Sequence, residues 1–321
     1  MVNESDAIMY QKRLPNDAEL ILKELAPYQE ALTGVVVEST YNWYWLADAL
    51  QESGYQVHLA NTTAIKPYGG LKYTDDKTDA IWLAKLLRLG ILETGYIYPK
   101  EERGLRELLR RRKKLVTQQT MNVVGLQALI NRYQNIKLSS DKLKREKEEK
   151  ILSYITDENV YVAAKGQLMI LRCLQEQISC MEQTILSKIK KTPRFKLLTE
   201  IPGIGPILAM TILLETGEIS RFKKVGHYSS YCRCVESKRI SNGKKKGENN
   251  RKNGNPYLGW AFIEAANYAI RNSEIIKKYY QRKLAKTNRV VALKTIANKL
   301  SRACYFMLRE GVAFDMTKAF G

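Results

Sequence analysis

The sequence predicts three regions in series: an α/β head over 1–98, a helical middle over 99–195 and a mostly α-helical tail over 196–321. Three observations carry this reading. The head alternates short β-branched runs with segments of helical spacing, as strands interleaved with helices do. The middle repeats leucine and isoleucine at spacings of three and four. The tail sets apolar helical segments between turns marked by glycine and proline.

In the head, Ala7 to Leu14 reads as a strand ending at Pro15-Asn16. Asp17 to Tyr28 has helical spacing, with Leu20, Leu22 and Leu25 apolar. Thr33-Gly34-Val35-Val36-Val37 is a short β-branched run, expected as a buried central strand. Asn42 to Ser53 is helical and closes at Gly54, a natural C-cap. Tyr55 to Ala60 is the next strand, Gly69-Gly70 breaks the chain, and Thr74 to Leu87 is helical again.

The middle opens with one long amphipathic run through Leu105, Leu108, Leu109, Leu115, Leu126, Leu129 and Ile130. Asp141 to Lys150 is charged and is expected as a mobile linker or exposed tip. A second run places Leu171, Leu174, Ile178, Met181 and Ile185 on a coiled-coil seam. That seam can close within one chain or between two, and a role in oligomerisation is the expectation. The tail opens with Ile201-Pro-Gly-Ile-Gly-Pro206 and a helix through Glu215. Lys238 to Gly254 is basic, rich in Gly and Asn and without periodicity, so it reads as a loop. Two or three helices follow, the last from about Arg289 to Glu310 and stopped by Gly311.

Charge narrows the function. The chain carries 53 Lys and Arg against 33 Asp and Glu, a formal net charge of +20. Residues 1–100 hold 9 basic and 13 acidic side chains; residues 101–321 hold 44 and 20. A mildly acidic head on a strongly basic body points to a polyanionic partner, above all nucleic acid. A hydrophobic content of 45% supports a real core and excludes wholesale disorder. No apolar run approaches the ~20 residues of a membrane helix, and the polar start with Glu4 and Asp6 does not read as a secretory signal. Five cysteines without a CxxC pair suit a reducing cytoplasm. With only His58 and His227 available, a Cys/His zinc site is not expected. Any metal must then be held by carboxylates.

Four features could carry chemistry. Glu38 ends the valine strand, where α/β folds place their sites, although a solvent-facing strand end would look the same. Asp76 and Asp79, spaced i, i+3, share one face at a helix start; dipole stabilisation alone would also account for them. Together these three carboxylates would suit Mg²⁺, and two such ions about 4 Å apart are common in phosphodiester cleavage. Gly203 and Gly205, before a helix with Pro206 at its start, match the hairpin of helix-hairpin-helix modules and could present backbone N–H groups to phosphate. A plain tight turn between packed helices is the alternative. Ser241, within Lys238-Arg239-Ile240-Ser241-Asn242-Gly243-Lys244-Lys245-Lys246, could attack a phosphodiester if a base or metal activates it. The bland reading is a basic loop that contains a serine. Nucleic-acid contacts are expected from Arg106, Arg110, Arg111, Arg112, Lys113 and Lys114, and from the loop cations through Arg251 and Lys252.

Taken together, these residues resemble the transposases of the insertion-sequence 110/116/902 family. Val36-Val37-Glu38-Ser39-Thr40 looks like the segment bearing that family's glutamate, and Asp76-Asp-Lys-Thr-Asp79-Ala80 like its D-x-x-D-A motif. Leu198-Thr-Glu-Ile-Pro-Gly-Ile-Gly-Pro206, Glu218-Ile-Ser-Arg-Phe222, Ser241-Asn-Gly-Lys244 and Gly254-Asn255 fall in the family's order. The resemblance implies a ribonuclease-H-like, RuvC-like head with a D-E-D-D metal site and a tail whose Ser241 attacks DNA. No segment of this chain matches the strand that bears the family's first aspartate, so a head trimmed at its N-terminus, with three ligands of four, is expected. The resemblance further implies Mg²⁺, DNA, a structured element-encoded RNA and a homo-oligomer as partners, and a cytoplasmic recombinase. A Holliday-junction-type nuclease using the carboxylates alone, and an inactive nucleic-acid-binding remnant, stay open beside it.

Overall fold

The computed structural model describes residues 1–65, 75–248 and 253–321. The chain divides into two compact units: residues 1–100 with 237–253, and residues 101–236 with 254–321.

The first unit is a small α/β layer. Asp17 caps helix α1 (Ala18–Leu25) by accepting from the Leu20 N–H, and Pro27 then turns the chain into a 3₁₀ segment over Ala26–Ala31. Strand β1 (Val35–Glu38) leads into α2 (Tyr44–Glu52) and back to β2 (Val57–Ala60), which lies parallel to β1 with Glu38 opposite Ala60. Gly54, at φ 86°, ends α2 as the sequence predicts. Helix α3 (Asp76–Arg88) precedes the two-residue β3 (Thr94–Gly95), antiparallel to β2. The order β1-β2-β3 makes β1 an edge among the described strands and β2 the centre, which corrects the expected central position of the valine run. Val37, Leu50 and Tyr55 form one small core, and Ala60, Leu83 and Leu86 another.

The strand expected over Ala7 to Leu14 is absent. Residues there make one isolated bridge, Val2 to Ile8, around a turn with Asp6 at φ 66°. No described strand lies alongside to accept a longer ladder, and Ile8 and Met9 stay exposed. The Gly69-Gly70 break lies outside the described residues. The segment over 237–253 is not the plain loop expected. Strands β4 (Arg239–Ser241) and β5 (Lys244–Gly247) form an antiparallel hairpin turned by Asn242 and Gly243.

The second unit is helical. Two long helices, α4 (Lys100–Gln134) and α7 (Glu158–Ile189), carry α5 (Ser140–Arg145) and α6 (Glu148–Leu152) between them. The charged stretch expected to be mobile is therefore folded. Leu143 and Ile151 are fully buried against Leu126 and Ile130 of α4 and Leu168 of α7, and Arg172 donates to the Lys144 and Glu146 carbonyls. The α7 seam is covered from within the chain: Leu171 belongs to this same core, and Ile185 to the main one. Those two residues are thus spent on intramolecular packing rather than on a second chain.

The main core gathers the ends of α4 and α7 onto seven further helices. They are α8 (Pro193–Thr199), α9 (Pro206–Thr216), α10 (Val225–Tyr231), α11 (Pro256–Asn272), α12 (Glu274–Leu284), α13 (Arg289–Glu310) and α14 (Met316–Phe320). Ala261, Ala265, Ala266 and Ala269 give α11 a face of small side chains that neighbouring helices approach closely. Gly311, left-handed at φ 69°, stops α13 where the sequence predicts. Among the described residues no helix is long and apolar enough to cross a membrane.

Candidate active site

The carboxylates come first. Glu38 is the last residue of β1, and α3 packs on that strand. Asp75 caps α3, accepting from the Thr78 N–H at 2.8 Å and the Thr78 hydroxyl at 2.6 Å; these bonds hold its carboxyl below the usual range. Asp76 and Asp79 then occupy the first turn. Glu38, Asp76 and Asp79 are all exposed, and none forms an ion pair among the described residues. Their oxygen donors suit a hard divalent ion. Their side chains are not drawn together, however: among the described residues no three His, Cys, Asp or Glu side chains are grouped to hold a metal. Donor chemistry fits Mg²⁺; a preformed cage is not present among the described residues.

The serine lies in the same compact unit, about 160–200 residues further along the chain. Asn242 at φ 50° and Gly243 at φ 68° place two left-handed residues in succession, the requirement of a type I′ hairpin turn. Ser241 therefore faces Lys244 directly across the hairpin, on one side of the ribbon, while Ile240 faces Lys245. Lys238, Arg239, Lys244, Lys245 and Lys246 are exposed. Arg251 and Lys252 lie outside the described residues. Asn-Gly between two short runs is the local sequence signal for this hairpin.

The basic run on α4 has a different character. Glu215, with no exposed side-chain surface, accepts from Arg106 Nε at 3.0 Å, from Arg110 Nε at 2.6 Å and Nη2 at 2.9 Å, and from Asn255 Nδ2 at 2.7 Å. Burial pushes its pKa up, but the Arg110 bond, the two guanidinium charges and Asn255 outweigh it and hold the carboxyl below its ordinary value. Asn255 also caps α11 by accepting from the Tyr257 and Leu258 N–H groups. Arg112 binds Glu182 at 2.7 Å, and Arg111 binds Glu107 on the surface. The Lys113 ammonium stands 3.4 Å over the Trp260 ring; burial lowers its pKa to about 8, with Glu264 opposing. Lys114 is exposed. The run is thus no continuous exposed stripe. A lone carboxylate in the apolar Ile207–Thr216 stretch was the sequence signal for this network.

The glycine turn joins α8 to α9. Gly203, at φ 89°, lies against α11 so closely that a Cβ would come within 2.4 Å of the Ala265 carbonyl oxygen. Close packing fully accounts for that glycine. Gly205 is the N-cap of α9 with open space around it and borders a cavity of about 500 Å³ that also meets Tyr268 and Asn272. Cys232, Cys234 and Cys304 are buried, and burial raises each thiol well above its usual range, so they are inert packing groups.

Comparison with known proteins places most of these residues within two family matches. Residues 195–281 match the model described as "Transposase IS116/IS110/IS902 family", and residues 1–135 match a DEDD-type IS110 model described as "Transposase". The chain is 25% identical over 174 residues to an insertion element IS110 uncharacterized 43.6 kDa protein of Streptomyces coelicolor, covering 51% of this chain and 43% of the relative. It is 25% identical over 142 residues to an insertion element IS116 uncharacterized 44.8 kDa protein of Streptomyces clavuligerus, covering 44% and 35%. The chain spans less than half the length of these curated relatives.

Proposed function

The chain belongs to the transposase IS116/IS110/IS902 family, and on that premise we propose that it cleaves and rejoins DNA strands as an insertion sequence moves. The observation that carries the reading is the grouping of Ser241 with Glu38, Asp76 and Asp79 in one compact unit, although the hairpin and the head are far apart in sequence. Ser241 is the nucleophile: its Oγ–phosphorus bond forms as the bond to one DNA strand end breaks, and the hydroxyl proton passes through solvent to the departing oxygen. Rejoining reverses this with the hydroxyl of another strand, so the phosphodiester bond energy is conserved. Lys244, opposite Ser241, steadies charge on the phosphoryl oxygens. Glu38, Asp76 and Asp79 would hold Mg²⁺, which supplies Lewis-acid stabilisation of the phosphoryl charge when bound. On this reading the head is RuvC-like, the turn at Gly203 and Gly205 is helix-hairpin-helix-like, an element-encoded RNA and further copies of the chain take part, and the work is done in the cytoplasm.

One observation favours a second reading. The three carboxylates are not gathered, which suits a chain that binds nucleic acid without cutting it. The test incubates the protein with Mg²⁺ and supercoiled DNA carrying the ends of its element, then looks for a covalent protein–DNA adduct on a denaturing gel. The expected result is an adduct in the wild type that Ser241→Ala abolishes with binding intact. An adduct of equal yield in Ser241→Ala moves the nucleophile elsewhere; binding without any adduct supports the second reading.

A further inference from the structure

From Ile275 to Arg309 the chain has ten Lys and Arg and no Asp or Glu. An ordinary solvated surface intersperses both signs. This stretch forms α12, a short link and α13. Ile276, Ala292, Ile296 and Leu300 are fully buried, so the cations are left on the outer side. Residues 281–291 are exposed throughout. Lys277 pairs with Glu274, but Lys278, Arg282, Lys283, Lys286, Arg289 and Lys294 have no carboxylate partner among the described residues.

The corner is also well built. Ala285 donates to the Gln281 carbonyl at 3.0 Å, Lys286 to that of Lys283 at 3.1 Å and Thr287 to that of Leu284 at 3.3 Å, while Asn288 caps α13. Arg282 and Lys283 of α12 and Lys299 of α13 all lie over the ring of Tyr279, which ties the two helices together. The helix dipole accounts for Arg282 and Lys283 in the last turn of α12. It does not account for Arg289 in the first turn of α13, which carries no acid to complement its N-terminus. A cation kept at the positive end of a helix makes sense where an anion binds.

We infer that the α12–α13 corner is a binding surface for the sugar–phosphate backbone of a nucleic acid. The partner is identified by chemistry: a run of closely spaced phosphates answers an ordered, unpaired cation cluster, with affinity drawn from counterion release. Arg282 and Arg289 offer forked donors to phosphate oxygens, and the lysines act as point charges. The inference rests on the reading of a nucleic-acid-acting protein, yet it needs neither the serine nor the metal.

The test is fluorescence anisotropy on the full chain with two probes, a labelled 30-base-pair duplex DNA and a labelled RNA hairpin. The variant Lys278→Ala/Arg282→Ala/Lys286→Ala/Arg289→Ala is compared with Lys165→Ala/Lys188→Ala/Lys190→Ala/Lys191→Ala, which removes the same charge from exposed sites on and just beyond α7. For at least one probe the corner variant should bind at least ~10-fold more weakly at about 0.1 M salt, with the log–log salt slope reduced by roughly 3 to 4, and the α7 variant should lose far less. The probe that suffers names the partner as DNA, RNA or both. Corner and α7 variants that bind alike overturn the inference, whether both weaken or neither does. That outcome leaves the proposed reaction standing, and an adduct lost in Ser241→Ala with normal binding tests the reaction alone. No binding of either probe by the wild type overturns both.

Discussion

The basic run on α4 and the basic hairpin have much the same composition and opposite surroundings. Arg106 and Arg110 converge on the buried Glu215, Arg112 is held by Glu182, and Lys113 is half-buried over Trp260. Arg239, Lys244 and Lys246 stand exposed on a two-stranded ribbon. A run of cations in a sequence is therefore two different things. Where a buried carboxylate gathers the cations, the run is part of the frame; where they stay exposed, it is available to a polyanion.

The sharpest way to break this comparison is to remove the carboxylate. Glu215→Ala removes the buried carboxylate on which Arg106 and Arg110 converge. Breaking a buried pair in this way costs about 3–5 kcal/mol, which for a unit of this size lowers Tm by roughly 6–20 °C. Thermal unfolding followed by circular dichroism reads it. Lys244→Ala, Lys245→Ala and Lys246→Ala should each change stability by no more than ~0.5 kcal/mol. A Glu215→Ala protein that melts with the wild type would show that the α4 cations are no part of the frame.

Acid should separate the two regions in the same direction. The folded-state pKa of Glu215 lies below its ordinary value of 4.5, so the folded protein binds fewer protons there than the unfolded one. Its contribution is complete above pH 4.5 and is lost as pH falls through the folded-state value. Denaturant melts at pH 7 and below pH 4 should show a larger loss for the wild type than for Glu215→Gln. Equal losses would mean that the arginines do not hold the charge.

Much of the fold was legible in the sequence, because helical periodicity and caps are local. Gly54 and Gly311 end their helices as glycine C-caps should. What escaped was of two kinds. The Asn242-Gly243 turn is also local, and its hairpin was hidden only because charged strands lack the apolar alternation that marks a half-buried sheet. The rest was non-local. Glu215 meets arginines more than a hundred positions away, and the charged Asp141–Lys150 stretch is ordered by Arg172 and by burial of Leu143, none of which spacing reveals. For the same reason the sequence supplies Glu38, Asp76 and Asp79 as oxygen donors but cannot say whether their side chains converge.

The hairpin side of the comparison is sharpened by salt. Lys246→Ala should weaken binding to a 30-base-pair duplex and lower the log–log salt slope by about 0.9, the contribution of one phosphate contact. Arg110→Ala, compared at equal folded concentration, should leave the slope unchanged, since its guanidinium is turned to Glu215. Anisotropy titrations between about 50 and 200 mM salt measure both. A slope that falls with Arg110→Ala and not with Lys246→Ala would reverse the assignment of the two regions.

The smallest effect belongs to Lys113, the lysine of the α4 run held over the Trp260 ring. Burial disfavours its charge and lowers its pKa to about 8, against 10.5 in water, while Glu264 and the face of Trp260 favour the charged form. The folded protein then binds fewer protons than the unfolded one between pH 8 and 10.5, so Lys113 costs stability in full below pH 8 and its penalty fades as pH rises through that window. The ammonium is half exposed, so the change in stability is small and best read locally. Trp260 fluorescence should titrate with a midpoint near pH 8, because the charge 3.4 Å from the ring disappears there. Lys113→Met should abolish that transition, and Trp260→Phe should remove its signal from the four tryptophans of the chain. A midpoint above pH 10 would show that burial over Trp260 does not hold the Lys113 charge down, and the line between framed and available cations would then run within α4 itself, after Arg112.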